Sequence, residues 1–171
     1  TTYVNVDSAD DVVAKVADAG GQVLMPPMDV MEFGRMAILA DPTGAAIGLW
    51  QPNSHPGADV TNEPGSYCWS ELLTNDLDAA IAFYAAILGW EARTSDGPMP
   101  YTEFQVGGRS IAGMMARPPM LPAEVPNHWG VYFALGGSAF MGTIDTPAGR
   151  VAPVMDPTGA SLNLIQLAPQ H

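Results

Sequence analysis

Four letters occur twice in this chain in the same setting, and they constrain the fold more than any other feature. Asp41-Pro42-Thr43-Gly44 lies between Gly34–Ala40 and Ala45–Trp50, and Asp156-Pro157-Thr158-Gly159 lies between Gly149–Met155 and Ala160–Ile165. Each copy reads apolar run, tight turn, apolar run, which is a β-hairpin written twice. The turn has a mechanism. Asp accepts bonds from the backbone just downstream, Pro presets the first turn dihedral and Gly takes a positive φ. Two copies in matched context point to a repeated unit.

The rest of the chain fits that repeat. Tyr3–Val6 is a predicted strand, and Ser8 caps a predicted helix to about Ala19, with Val12, Val13 and Val16 on one face and Gly20-Gly21 ending it. A strand over Gln22–Met25 and the two arms of the hairpin complete a βαβββ unit over residues 1–52. Residues 53–65 are rich in breakers and polar side chains and read as a linker. A strand over Ser66–Thr74 opens the second unit, and Asp76 caps a helix to Leu88 whose Leu77, Ala80, Phe83, Tyr84 and Ile87 share a face. Gly89 stops that helix, and strands near Trp90–Arg93, Tyr101–Val106 and Ser110–Met115 follow. After the Pro-rich connector Pro118–Pro126, a strand over His128–Leu135 begins a third unit, so that residues 66–171 read as a pair.

The repeat also exposes a gap. Gly20-Gly21 recurs as Gly136-Gly137 and Asp29 as Asp145, both 116 positions on, whereas Tyr3 matches Tyr132 at 129 positions. The discrepancy of 13 positions is the length of Asp7–Ala19, the first helix with its cap. A sheet without its helix would leave one face bare to water, so a helix is expected to be missing between Leu135 and Gly136. By the same reasoning, a partner unit is expected before Thr1.

Composition excludes several classes. With 18 acidic against 6 basic residues, net charge −12, the scattered cations make no patch for phosphates, which argues against nucleic acid and anionic membrane as partners. No apolar run approaches the roughly 18 residues of a transmembrane helix. Cys68 is the single cysteine, so neither a disulfide framework nor a cysteine-cluster metal site is available. A cytoplasmic location fits, with secretion left open. The ten methionines are expected mostly in core or loop packing.

Phe83-Tyr84-Ala85-Ala86-Ile87-Leu88-Gly89-Trp90, followed by a strand–D-P-T-G–strand hairpin, resembles the vicinal oxygen chelate superfamily. That group holds glyoxalase I, bleomycin-resistance proteins and extradiol dioxygenases, and the chain looks most like two-module glyoxalase-like "hydroxylase" members. The resemblance implies an α+β fold in which repeated βαβββ units form curved mixed sheets that enclose a cavity, with helices on the outside. It implies nothing certain about chemistry, since the superfamily spans metalloenzymes and simple binders.

Metal enzymes of the superfamily hang His and Glu ligands on the first and last strands of paired units. Carried onto this sequence, those positions are Trp69, Gly130, Asn163 and, in the first unit, Gly48. No metal is therefore expected, although strand alternation would allow a ligand set displaced by two residues, built on Glu71 and His128. Glu71, between Trp69 and Leu73, is either the buried partner of an arginine or a general base. His128 opens a strand, as a satisfied edge residue or a cavity group. Trp69, Tyr132, Ser161 and Asn163 would give an aromatic wall with a few polar contacts. Arg35 and Arg150 recur at matched places and are expected to pair with an Asp carboxylate.

The chain thus reads as a binder of a small apolar or aromatic molecule, without a metal cofactor. If it is an enzyme, Glu71 and His128 form the acid–base pair and Trp69, Tyr132, Ser161 and Asn163 contact the ligand. A divalent-metal lyase, dioxygenase or hydroxylase with displaced ligands is one alternative, and a non-catalytic secreted or surface module is another. A homodimer is compatible with all three.

Overall fold

A computed structural model describes residues 1–96, 100–119, 121–122, 124–134, 144–146, 149–155 and 161–167; for Ile144, Met155, Ser161 and Leu162 it describes the backbone alone. In chain order the elements are β1 (Tyr3–Asn5), α1 (Ala9–Val16), β2 (Gln22–Val30), β3 (Gly34–Ala40), β4 (Ala46–Pro52), β5 (Tyr67–Thr74) and α2 (Leu77–Leu88). Then follow β6 (Glu91–Thr94), β7 (Thr102–Val106), β8 (Arg109–Ala116), β9 (His128–Ala134), β10 (Ile144–Thr146), β11 (Gly149–Met155) and β12 (Ser161–Leu167). The sheets are mixed, with β1–β4, β5–β8 and β12–β9 parallel and the hairpin partners antiparallel. This is the α+β fold of βαβββ units.

Two compact units divide the chain. The first holds Thr1–Gly57 and Glu71–Trp129, the second Ala58–Ser70 and Gly130–His171, so β5 and β9 each contribute to both.

In the first unit, the sheet β1-β4-β3-β2 and the strands β5-β8-β7-β6 flank the two helices. Local chemistry sets the helix ends. The Ser8 hydroxyl accepts from the Asp11 amide at 3.2 Å and the Asp76 carboxylate accepts from the Ala79 amide at 3.0 Å. Gly89, at φ 68°, closes α2 in the left-handed region. The helix expected to reach Ala19 stops at Val16, because Gly20 and Gly21 bond back to the carbonyls of Ala17 and Val16. One core then joins Val12 and Val16 of α1, Leu39, Ile47 and Leu49 of one sheet, Phe83, Tyr84 and Ile87 of α2, and Leu72, Phe104 and Met114 of the other. Burying each such side chain stabilises by about 1.5–3 kcal/mol.

The first D-P-T-G turn is tied into this core. The Asp41 carboxylate accepts from the Thr43 amide (2.8 Å), the Thr43 hydroxyl (2.7 Å) and the Ala45 amide (3.1 Å), as the turn chemistry requires. Its other oxygen accepts from the Tyr84 hydroxyl at 2.9 Å, and that hydroxyl accepts from Trp129 Nε1 at 2.9 Å. Asn127 bridges the Thr43 carbonyl and Asn75 Oδ1, at 2.8 Å each.

β2 runs to Val30 rather than ending at Met25, and it carries Pro26-Pro27. An edge strand loses no ladder bond to a proline, and the register shifts twice there. The methionine expectation fails on this strand. Met25 and Met28 are exposed there, whereas Met114 is buried. An edge strand has no neighbour to cover them.

In the second unit the strand order is β10-β11-β12-β9-β5. Gly65 N–H donates to the Ala134 carbonyl and Ala134 N–H to that of Ser66. The second D-P-T-G and the Leu135–Gly136 junction, with its expected missing helix, lie outside the described residues.

Candidate functional site

The face of β5-β8-β7-β6 turned away from the core carries most of the unit's chemistry. Leu72, Phe104, Ala112 and Met114 point into the core, so strand alternation puts Glu71, Glu103 and Gly113 on the opposite face. Register aligns Glu71 with Gly113, Gly113 with Glu103 and Glu103 with Arg93, a row across four strands. A glycine between two carboxylates leaves room above the sheet.

Glu71 is only 8% exposed. The Tyr101 hydroxyl donates to its Oε2 at 2.7 Å, a charge-assisted bond that fixes the orientation of the carboxylate. A phenol, which the sequence did not single out, is thus among the partners of Glu71. On the same face Ser110 donates to Glu103 and accepts from Gln105 Nε2. Sequence reasoning missed Tyr101, Glu103, Gln105 and Ser110. The one signal for Tyr101 and Glu103 was their alternation in a strand whose other face is apolar.

His128 sits at the start of β9, half-buried, with Nδ1 against the Pro126 carbonyl at 2.8 Å. It falls in the first unit with Glu71, whereas Trp69, Tyr132, Ser161 and Asn163 fall in the second. There, the parallel register pairs Asn163 with Tyr132, which puts both on one face. Trp69 is half-buried on β5, and Ser161 lies on β12 opposite Met155. The Cys68 thiol donates to the Tyr132 carbonyl, and burial pushes its pKa up, so it is protonated and a poor nucleophile at neutral pH.

The recurring arginines are structural. Arg35 bonds Asp10 and Asp29, both at 2.8 Å, and Arg150 bonds Asp145 at 2.7 Å. Asp29 and Asp145 are themselves equivalent in the repeat, so the ion pair is repeated along with the hairpin. These hydrogen bonds hold the Asp10 and Asp145 carboxyls below their usual range. All lie at the surface.

The residues at the superfamily's metal positions do not fit a divalent cation. Trp69 and Gly130 offer no donor, and Asn163 offers only a neutral amide. Gly48 is occupied in another way: a Cβ there would lie 2.4 Å from the Tyr3 ring, so an aromatic side chain fills the space a glutamate would need. Among the described residues, no three of His, Cys, Asp and Glu gather as a ligand set.

Known proteins resemble the chain over most of its length. A protein of Mycobacterium bovis named "Putative glyoxylase CFP32" is 42% identical across 99% of the chain and 70% of its own length. The "Anthracycline biosynthesis protein DnrV" of Streptomyces peucetius is 39% identical across 98% of the chain and 65% of its own length. Among solved structures, 2,2',3-trihydroxybiphenyl 1,2-dioxygenase of Sphingomonas wittichii superposes with a TM-score of 0.63 at 16% identity, over 97% of this chain and 70% of that one. The Mn(II)-bound glyoxalase of Novosphingobium aromaticivorans gives 0.61 at 14%, over 96% and 61%. At such identities the likeness is one of fold. The family model for the glyoxalase/bleomycin resistance protein/dioxygenase superfamily matches residues 57–148, and with relatives this similar the chain belongs to that superfamily.

Proposed function

We propose that the chain binds a small planar apolar or aromatic molecule on the sheet face around Glu71, without a divalent metal. The observation that carries this is the buried carboxylate of Glu71, on the face away from the core and held by Tyr101. Burying a carboxylate costs several kcal/mol unless it is hydrogen-bonded or used. Leu73 and Met115, paired in register beside it, supply apolar surface. One relative is named for anthracycline biosynthesis, and an anthracycline is a planar polycycle of the class such a surface accepts.

In this reading Glu71 is the acid–base group. It takes a proton from, or returns one to, a hydroxyl or an acidic C–H of the ligand, while Tyr101 keeps the carboxylate aimed. His128 is the second member of the pair. A cytoplasmic location and a homodimer remain part of the proposal.

Titration with 1,8-dihydroxyanthraquinone, followed by quenching of tryptophan fluorescence, tests it. Binding should be the same with and without EDTA and should weaken about tenfold in Glu71→Gln. Binding that vanishes with EDTA and returns with Mn, Fe, Ni or Zn would overturn the metal-free reading. Binding indifferent to Glu71→Gln would overturn the site.

A further inference from the structure

The first unit carries a groove of about 510 Å³, more open than enclosed, lined by residues of β1, α1, the end of α2 and the end of β7. No candidate residue named so far lines it. Its volume falls in the range of small-molecule sites, about 300–1,000 Å³. The lining has two characters. Val12, Ile87 and Trp90, all buried in the core, make an apolar floor with Val106 at the mouth. Asp7, Asp11 and Lys15 make a charged rim.

The charges favour one class of occupant. Lys15 is the chain's one lysine and lies four residues after Asp11 on α1, the spacing at which the two charges offset each other. Asp7 is then left in excess, in a molecule that already carries a net charge of −12. A carboxylate above an apolar floor complements a cation on an apolar body.

We infer that this groove is a binding site for a small aromatic or aliphatic amine, its ring or chain on Val12, Ile87 and Trp90 and its ammonium at Asp7. The site is separate from the Glu71 face and stands whether or not that face binds a ligand.

Three naphthalene probes of equal size test the inference on the full chain: 1-naphthylmethylamine, 1-naphthalenemethanol and 1-naphthoate. Amide NMR titration should shift residues 4–15, 87–90 and 106 with the amine, at an affinity at least fivefold above the alcohol and with the carboxylate weakest. Val106→Trp, at an exposed position, should fill the mouth and lower amine affinity at least tenfold while the unfolding midpoint holds. Asp7→Asn should bring amine and alcohol together, and Glu71→Gln should change neither. No shifts in these segments at millimolar amine, equal affinities for the three probes there, or full affinity in Val106→Trp would each overturn it.

Discussion

Tyr84 is the residue on which the first unit turns. Its ring stacks on Trp90 and meets Phe83, Phe104 and Trp129 edge-on, while its hydroxyl joins Asp41 to Trp129. Tyr84→Phe keeps the ring and leaves two buried polar groups without this partner, so it should lower stability by about 3 kcal/mol in urea unfolding. The pH profile should change as well. Burial, and then the negative charge of Asp41, hold the Tyr84 hydroxyl well above its ordinary value of 10.0. Once pH passes about 10, the unfolded tyrosine gives up a proton that the folded one keeps, so stability falls as pH rises, by up to about 1.4 kcal/mol per pH unit. In Tyr84→Phe that alkaline limb should be shallower by one proton.

Among the elements, the turn between α1 and β2 depends on packing more than on backbone freedom. A Cβ on Gly21 would lie 2.4 Å from the Phe83 ring and 2.8 Å from the Ala40 carbonyl. Gly21→Ala should therefore cost about 2 kcal/mol or more in urea unfolding, because both α2 and β3 must give way. Gly44, in the D-P-T-G turn, has open space but φ +90°, so Gly44→Ala should cost only about 1 kcal/mol, all of it backbone strain. The repeated arginine pairs are weaker still. Arg35 and Arg150 depress the carboxyl pKa values of Asp10 and Asp145, so their contribution is present above the unfolded value near 4 and is lost as pH falls through the depressed one. Both pairs face solvent. Arg35→Gln should flatten the acid limb of stability below about pH 4 in low salt, and 1 M NaCl should erase the difference between variant and parent.

For the whole molecule, the repeat and the compact units obey different rules. The repeat is a local code: caps, turns and face periodicity act within a few residues, which is why the ends of α2, the Ser8 and Asp76 caps and the hairpin over Gly34–Pro52 were legible from the letters. The apolar faces of the helices were legible too. What covers those faces was not, because each βαβββ unit leaves that choice to a neighbour far along the chain. The sequence could therefore mark Glu71 as a carboxylate on an apolar face without naming its partner. The letters left it as an arginine's partner or a general base, and only the fold brought the Tyr101 phenol to it.

By itself, the sequence determined the βαβββ order and the turn chemistry of Asp41, since both rest on residue type and short spacing. Only the tertiary structure decided that Asp41 is also the acceptor for Tyr84, 43 residues on, and Glu71 for Tyr101, 30 residues on. A side chain's bond to its own turn is fixed by the local backbone. A bond across two strands or a helix exists only once packing has set the distance.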